Sequence, residues 1–274
     1  MKITGRTKIT GIFGYPVDHT LSPAMQNAAF EALGLDYCYI PLLVHPDNLA
    51  DAVRSIRVLN LAGVNITVPH KEKVIPLLDT IDDEALFIGA VNTIVNSEGR
   101  LNGYNTDGRG FMRSLDESGI SVKDKKILII GAGGAARAVS YYLCREAGNV
   151  FIYGRTKIRA DKLAGDLKQV KNNVSTVDHT FDIGEYDIII NATPLGLRED
   201  DQLPFETRHL RSEQIVCDLI YKETRLLTEA SRKGCNTLNG LGMLLWQGAL
   251  SFEIWTGKTP QIEIMRNALT QSFR

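Results

Sequence analysis

The chain has 274 residues, 44% apolar and 23% charged, enough to bury the cores of two ordinary domains. Its 31 Lys and Arg nearly balance 32 Asp and Glu, so no bulk field favours nucleic acid or anionic lipid, and any bound anion must be held by a local site. Cys38, Cys144, Cys217 and Cys235 lie far apart without a C-x-x-C pair, which argues against a zinc knuckle or disulfide framework and for buried thiols in a reducing cytosol.

The first residues, Met1 to Lys8, contain no apolar signal-peptide core, and no stretch reaches the length of a membrane span, so the chain reads as cytoplasmic. Apolar strand-like runs then alternate with helical patterns, which predicts an α/β protein with a mainly parallel sheet. Lys8 to Phe13 reads as a strand. Ser22-Pro23 offers an N-cap followed by proline at the first helical position, opening a helix that Gly34 stops. Strand Asp36 to Leu43, helix Asp47 to Asn60 and strand Gly63 to Val68 follow. Ala90 to Tyr104 holds two β-rich runs around Asn96-Ser-Glu-Gly99, a hairpin signal. A second block starts near Thr106. Lys126 to Ile130 suits a strand buried on both faces, and helix Ala135 to Glu146, strand Asn149 to Tyr153, helix Thr156 to Lys168 and strand Tyr186 to Asn191 continue the β-α-β rhythm. Gln214 to Leu219 and Cys235 to Leu238 add strands. Leu241 to Arg274 is helical, broken by Gly257 and restarted near Pro260.

Gly131-Ala132-Gly133-Gly134-Ala135-Ala136 lies between a buried strand and a helix and fits G-x-G-x-x-G/A, the turn that brings a dinucleotide's pyrophosphate to a helix N-terminus. Glycines also serve ordinary tight turns; the flanking strand, helix and β-α-β units favour nucleotide binding. Sites for NAD place an acid at the end of the second strand. Here that end reads Gly154-Arg155-Thr156-Lys157-Ile158-Arg159, with no acid before Asp161. A solvated basic helix start is the bland alternative, but cations at a helix N-terminus oppose its dipole, so a bound 2′-phosphate explains them better, and NADP is the expected cofactor.

Two polar clusters remain. Asn65-Ile-Thr67-Val-Pro-His70-Lys71 ends a strand, with Val68 held extended by the following proline, and Gly103-Tyr-Asn105-Thr-Asp107-Gly108 joins a strand to a helix. In isolation Lys71 is a surface lysine and Asp107 a helix cap. His70 precedes Lys71 in a segment read as extended, where neighbouring side chains diverge, so His70 and His19 are taken as structural; His45, His179 and His209 are isolated and suggest no metal site.

Taken together, these segments resemble shikimate dehydrogenase. The resemblance runs in order through Gly14 to Pro23, Asn65 to Lys71, Gly89 to Thr93, Gly103 to Gly108 and the glycine loop. It continues through Gly154 to Thr156, Asn191 to Gly196, Asp218 to Tyr221, Asn239 to Met243, Gln247 and Trp255 to Gly257. It implies a substrate domain of residues 1–105 plus 239–274 and a Rossmann-type NADP domain of residues 106–238, with catalysis in a cleft between them. The implied activity is reduction of 3-dehydroshikimate to shikimate with NADPH, in aromatic amino acid biosynthesis. Carried over position by position, Lys71 and Asp107 are the catalytic pair. Thr20, Ser22 and Tyr221 bind the ring carboxylate, and Thr67, Asn92, Asp107 and Gln247 the ring hydroxyls. Gly131 to Ala135, Arg155, Thr156 and Arg159 hold the cofactor's phosphates and adenosine side. Asn191, Ala192 and Thr193, with Gly240 and Met243, lie towards the nicotinamide. Such chemistry needs no metal if a positioned lysine stabilises charge on the substrate oxygen and exchanges the proton.

Three positions depart from the family pattern. Thr20 stands where serine is usual, leaving shikimate and quinate both open as substrates. Gly154 replaces the asparagine that commonly precedes Arg-Thr. Tyr221 is followed by Lys222-Glu223-Thr224 rather than an Asn-Pro turn. The competing readings are a quinate/shikimate dehydrogenase accepting NAD and a catalytically silent NADP-binding regulator, which would be expected to lose Lys71 or Asp107. The partners expected are small molecules, not nucleic acid or membrane, with homodimerisation left open.

Overall fold

The alternating pattern produces two six-stranded sheets, each in its own unit of a computed structural model that describes residues 2–272. One unit comprises Met1–Thr106 and Leu245–Arg274, the other Asp107–Leu244.

The first unit opens with β1 (Lys8–Gly14), α1 (Ser22–Ala32), β2 (Tyr37–Leu43) and α2 (Leu49–Val58). It continues with β3 (Gly63–Ile66), β4 (Thr80–Ile81), α3 (Asp83–Ile88), β5 (Thr93–Ser97) and β6 (Arg100–Tyr104). The sheet order is β2-β1-β3-β5-β6-β4, parallel except where β5 meets β3 and β6. That reversal is the expected hairpin. Ser97 pairs with Arg100, and the two residues between, Glu98 (φ 54°) and Gly99 (φ 88°), both take positive φ, the twist that matches paired strands. Val53 and Ile56 of α2 pack with Phe13, Val64, Ile66, Ile94 and Leu101 of the sheet; burying each such side chain is worth roughly 1.5–3 kcal/mol.

Two local expectations are corrected. Leu21, not Ser22, is the N-cap of α1 and makes no side-chain cap; Ser22 is already helical, and its hydroxyl serves Tyr39 instead. The helix expected from Asp47 begins as a 3₁₀ turn, Pro46–Asn48, because His45 Nδ1 accepts from the Asp47 amide and tightens the entry.

The second unit holds α4 (Asp107–Glu117), β7 (Lys126–Ile130), α5 (Gly134–Glu146), β8 (Asn149–Tyr153), α6 (Lys157–Lys168) and β9 (Val174–Thr176). It continues with β10 (Ile188–Asn191), β11 (Ile215–Asp218), α7 (Arg225–Arg232) and β12 (Asn236–Leu238). All six strands are parallel, in the order β12-β11-β10-β7-β8-β9. The strand order reverses between β7 and β10. Ile127–Ile129 and Ile188–Ile190 are fully buried there, as strands covered on both faces require. Register aligns Ile130 with Tyr153 and Asn191, and Asn191 with Asp218, so the loops after four strands leave from one edge.

Helix α8 (Leu241–Thr256) carries the chain from the second unit back into the first, and α9 (Ile262–Gln271) ends the described structure; the expected helix to Arg274 runs past the described residues. Within the first unit these helices cover the sheet face opposite α2. Phe252 stacks on Phe30 at 4.9 Å, and Trp255 Nε1 donates to the Ile94 carbonyl at 3.0 Å.

Candidate active site

In the first unit a buried polar network grows from β3. Asn65 points into the core, where an unpaired amide would be costly, and every polar atom of its side chain is engaged. Its Oδ1 accepts from the Tyr39 hydroxyl at 2.8 Å. Its Nδ2 reaches the Asn92 carbonyl at 3.0 Å and the hydroxyls of Thr93 and Ser251 at 3.1 Å each. Asn92, one residue before β5, accepts at Oδ1 from the Thr106 amide at 2.9 Å and the Thr93 hydroxyl at 3.0 Å. Its Nδ2 donates to Thr106 Oγ1 at 2.8 Å and lies 3.4 Å from Gln247 Oε1. Asn92 and Gln247, 155 residues apart, are thus brought together.

At the network's other end Ser22 contributes a hydrogen bond to the Tyr39 hydroxyl, whose titration burial pushes far upward. The Thr20 hydroxyl accepts from the Ser22 amide at 3.4 Å, so these two hydroxyls share one turn at the start of α1. Thr67 leaves β3 with its amide bonded to the Phe13 carbonyl at 2.9 Å, and Lys71 follows one turn later, its carbonyl accepting from the Val91 amide at 2.8 Å. Lys71 is half-buried, bonded through its carbonyl to the segment that leads through Asn92 into β5.

The segment around His70, expected to be extended, is instead a turn. The His70 amide donates to the Thr67 carbonyl, and its own carbonyl accepts from Val74, so Lys71 sits in a turn. His70 is wholly buried, with Nε2 2.8 Å from the Val44 carbonyl and Nδ1 without a partner. A carbonyl can only accept, so Nε2 carries the proton. Burial holds the His70 pKa below the ordinary histidine range, aided by Lys73 and opposed by the Val44 bond.

In the second unit the groups cluster at the carboxyl ends of the strands. Gly131 follows β7 with φ 124°, and a Cβ there would lie 2.7 Å from the Ala192 carbonyl oxygen, so only glycine fits. Gly133 is the N-cap of α5, and a Cβ built on it would meet nothing within 4 Å. The start of α5 has neither a side-chain cap nor an acid in its first turn, leaving amides and helix dipole for an external anion. Gly131, Ala132, Gly133, Gly134 and Ala135 therefore fit a diphosphate.

Past β8, Gly154, Arg155, Lys157, Thr176, Asp178 and His179 line a cleft of about 140 Å³. Thr156 is the N-cap of α6 without a side-chain cap, its first turn is free of acids, and Arg155 and Arg159 are exposed. Lys157 leans on Asp161 at 3.5 Å. These cations fit a phosphate on the adenosine side. A larger depression, about 660 Å³, lies at the other end of β7 and is lined by Lys126, Asp182, Glu185, His209 and Arg211. Ligands of open parallel sheets bind outside the carboxyl ends of the strands, so the site is assigned there.

Asn191, fully buried at the end of β10, accepts at Oδ1 from the Thr193 amide at 3.1 Å and hydroxyl at 2.7 Å. Its Nδ2 donates to the Leu195 carbonyl and to Asp218 Oδ1, both at 3.0 Å. Ala192 binds the Ile130 carbonyl through its amide at 2.8 Å, and Tyr221 is half-buried, with its phenol pKa raised by burial. Gly240 and Met243 are buried at the start of α8, and Asp107, 3% exposed, is the first residue of α4. Sequence reasoning had assigned no role to Tyr39, Thr106, Ser251 or Asp218. Only Asp218 carried a signal, an acid closing an otherwise apolar strand.

A glycine turn at the point where a six-stranded parallel sheet reverses its order defines a dinucleotide-binding α/β protein. Comparison with known proteins narrows the class. Residues 12–94 match the shikimate dehydrogenase substrate binding domain, residues 114–196 the shikimate / quinate 5-dehydrogenase model and residues 240–270 the shikimate 5'-dehydrogenase C-terminal domain. The chain is 47% identical over 280 residues to shikimate dehydrogenase (NADP(+)) of Desulforamulus reducens, covering 98% of this chain and 96% of that one. It also matches the crystal structure of a shikimate dehydrogenase in complex with NADP+ at TM-score 0.94 and 43% identity, covering 100% of this chain and 98% of the other. A shikimate 5-dehydrogenase from Listeria monocytogenes, solved with shikimate and NAD, matches at TM-score 0.88 and 39% identity over 97% and 98% of the two chains. The chain belongs to the shikimate dehydrogenase family.

Proposed function

We propose that the protein catalyses the reversible reduction of 3-dehydroshikimate to shikimate with NADPH. The carrying observation is the glycine turn at the sheet's reversal joined to a second strand that is followed by Arg155 and no acid, within a chain similar over nearly its whole length to NADP(+)-dependent shikimate dehydrogenases. When bound, NADP accepts or returns the hydride. The chain's own groups do the rest.

The amides and dipole at the start of α5 hold the diphosphate, while Arg155, Thr156 and Arg159 take the 2′-phosphate side, where a guanidinium forms paired charge-assisted bonds. Asn191 to Thr193 form the rigid floor for the nicotinamide, with Gly240 and Met243 beside it. Thr20, Ser22 and Tyr221 hold the substrate carboxylate; Thr67, Asn92 and Gln247 hold its ring hydroxyls. Lys71 stabilises negative charge on the reacting oxygen and hands over the proton, and Asp107 binds the adjacent hydroxyl and shares that proton load. This assignment is supported by the turn that presents Lys71, by the Asn92–Gln247 approach and by the position of each residue in the family pattern. The four buried, unbridged thiols suit a reducing cytoplasm.

The second reading, a quinate/shikimate dehydrogenase, rests on Thr20, whose methyl group adds bulk in the turn assigned to the carboxylate, near the carbon where quinate carries an extra hydroxyl. Nicotinamide absorbance with shikimate and quinate, each with NADP and NAD, tests both. The expected result is fastest turnover with shikimate and NADP; no turnover in any combination would refute the assignment.

A further inference from the structure

Asp218 closes β11 and is 1% exposed, yet all its partners are neutral. Its Oδ1 accepts from Asn191 Nδ2 at 3.0 Å and from the Ile220 amide at 3.1 Å; its Oδ2 accepts from the Thr224 hydroxyl at 2.8 Å. A buried carboxylate without a cation is an expensive way to fill space, and burial accordingly raises its pKa against the pull of these three bonds. An apolar residue would serve the core of the sheet better.

The position of the bonds supplies a reason for the cost. Asn191 is the anchor of the 191–195 loop, since its Oδ1 holds both the amide and hydroxyl of Thr193. Ile220 precedes Tyr221, and its carbonyl accepts from the Gly240 amide at 2.9 Å. Thr224 caps α7 and closes the Tyr221 loop. Lys222 adds a further tie, donating to the Leu197 carbonyl at 2.6 Å. One carboxylate therefore binds two loops directly and reaches a third through a single residue, Ile220. An asparagine would keep the two bonds at Oδ1, but its NH₂ group would meet the Thr224 hydroxyl, which would have to turn from donor to acceptor and so loosen the tie to the Tyr221 loop.

We propose that Asp218 is a positioning residue for hydride transfer, a side chain that locks the Asn191–Thr193 loop and the Tyr221 loop into one arrangement at the edge of the nucleotide-binding sheet. The proposal rests on the reading above that these loops carry the nicotinamide and the substrate carboxylate. Buried and engaged at both carboxylate oxygens, Asp218 acts through Asn191, Ile220 and Thr224. The phosphate-binding groups at Gly131–Ala135 and Arg155 belong to other loops, so nucleotide affinity and hydride-transfer geometry should separate in a variant.

The test is Asp218→Asn in the full-length protein, with thermal unfolding, NADPH affinity, shikimate kinetics and the primary isotope effect of 4-deuterated NADPH in the reduction of 3-dehydroshikimate measured side by side. The expected result is a folded enzyme that binds NADPH within about 3-fold of the wild type. Its kcat should fall ~10-fold or more, the scale of a reacting group slightly misplaced, and its isotope effect should rise as the hydride step becomes limiting. A merely structural role would lower the melting temperature while leaving kcat per folded molecule and the isotope effect unmoved, and that outcome overturns the proposal. If Asp218→Asn does not fold, Thr224→Val, which removes one of the three donors, must show the same pattern at smaller amplitude, or the proposal falls. Wild-type turnover judges the functional reading separately. Should the wild type bind NADPH but turn over neither shikimate nor quinate, that reading fails. Asp218 is then judged by the fluorescence of bound NADPH: an emission altered in Asp218→Asn sustains its role, and an identical one removes it.

Discussion

The hydroxyl of Tyr39 donates to Oδ1 of Asn65 at 2.8 Å and receives a hydrogen bond from Ser22, so one phenol joins the turn that opens α1 to the polar centre of the first sheet. Every partner in this chain is buried. Tyr39→Phe would keep the ring in place and leave the Asn65 oxygen without its donor, a loss of about 1–3 kcal/mol for a buried group. The expected outcome is a folded enzyme whose KM for shikimate rises several-fold while kcat changes less, because Ser22 loses its orientation. Equal KM values for variant and wild type would disconnect Tyr39 from the substrate.

Lys71→Ala should lower kcat at least ~100-fold, the usual scale of acid–base catalysis, with little change in KM. Steady-state kinetics on shikimate decide it. A variant that keeps half its turnover would remove Lys71 from proton transfer.

On the proposed reading that Arg155 takes the 2′-phosphate, Arg155→Ala should raise the KM for NADP by ~10-fold or more and leave that for NAD nearly unchanged. Parallel weakening of both cofactors would show that Arg155 serves the adenosine as a whole.

His70 makes stability depend on pH. Its folded pKa lies below the unfolded value of about 6.5, so the unfolded chain takes up a proton that the native chain refuses. The associated stability is complete above that value and is lost as pH falls from about 6.5 towards the depressed folded pKa. The groups that bear on the ring are the Val44 carbonyl and the Lys73 ammonium. Thermal unfolding between pH 7.5 and 5.5 should show a steeper fall for the wild type than for His70→Phe; parallel curves would contradict it.

What could be read in advance follows the strictness of the local physics. Gly131 was legible because the backbone there tolerates no side chain, and the Glu98-Gly99 turn because two successive positive φ angles leave few residues to choose from. Lys126–Ile130 was legible because a strand covered on both faces must be apolar throughout. By contrast β9 and α7 went unread; Val174–Thr176 is too short to show alternation, and Arg225–Arg232 is mostly polar. Ser22 looked like a cap because a serine before a proline has the right chemistry, but its hydroxyl is claimed by Tyr39, distant in sequence. Asp218 posed the same difficulty. Its partners Asn191 and Thr224 are meaningful only once β10 and β11 lie side by side.

The chain returns to its first unit only at Leu245, after the second unit is complete. Synthesis from the amino end therefore delivers all of the nucleotide-binding sheet before the ribosome has made Phe252 and Trp255, which close over Phe30 and Ile94. Until those last helices emerge, the part of one face of the first-made sheet that α1 leaves uncovered stays wet. The earliest segment to be translated is thus the last to mature, and a nascent chain stalled before Trp255 should be open to chaperones and proteases at its beginning rather than in its middle.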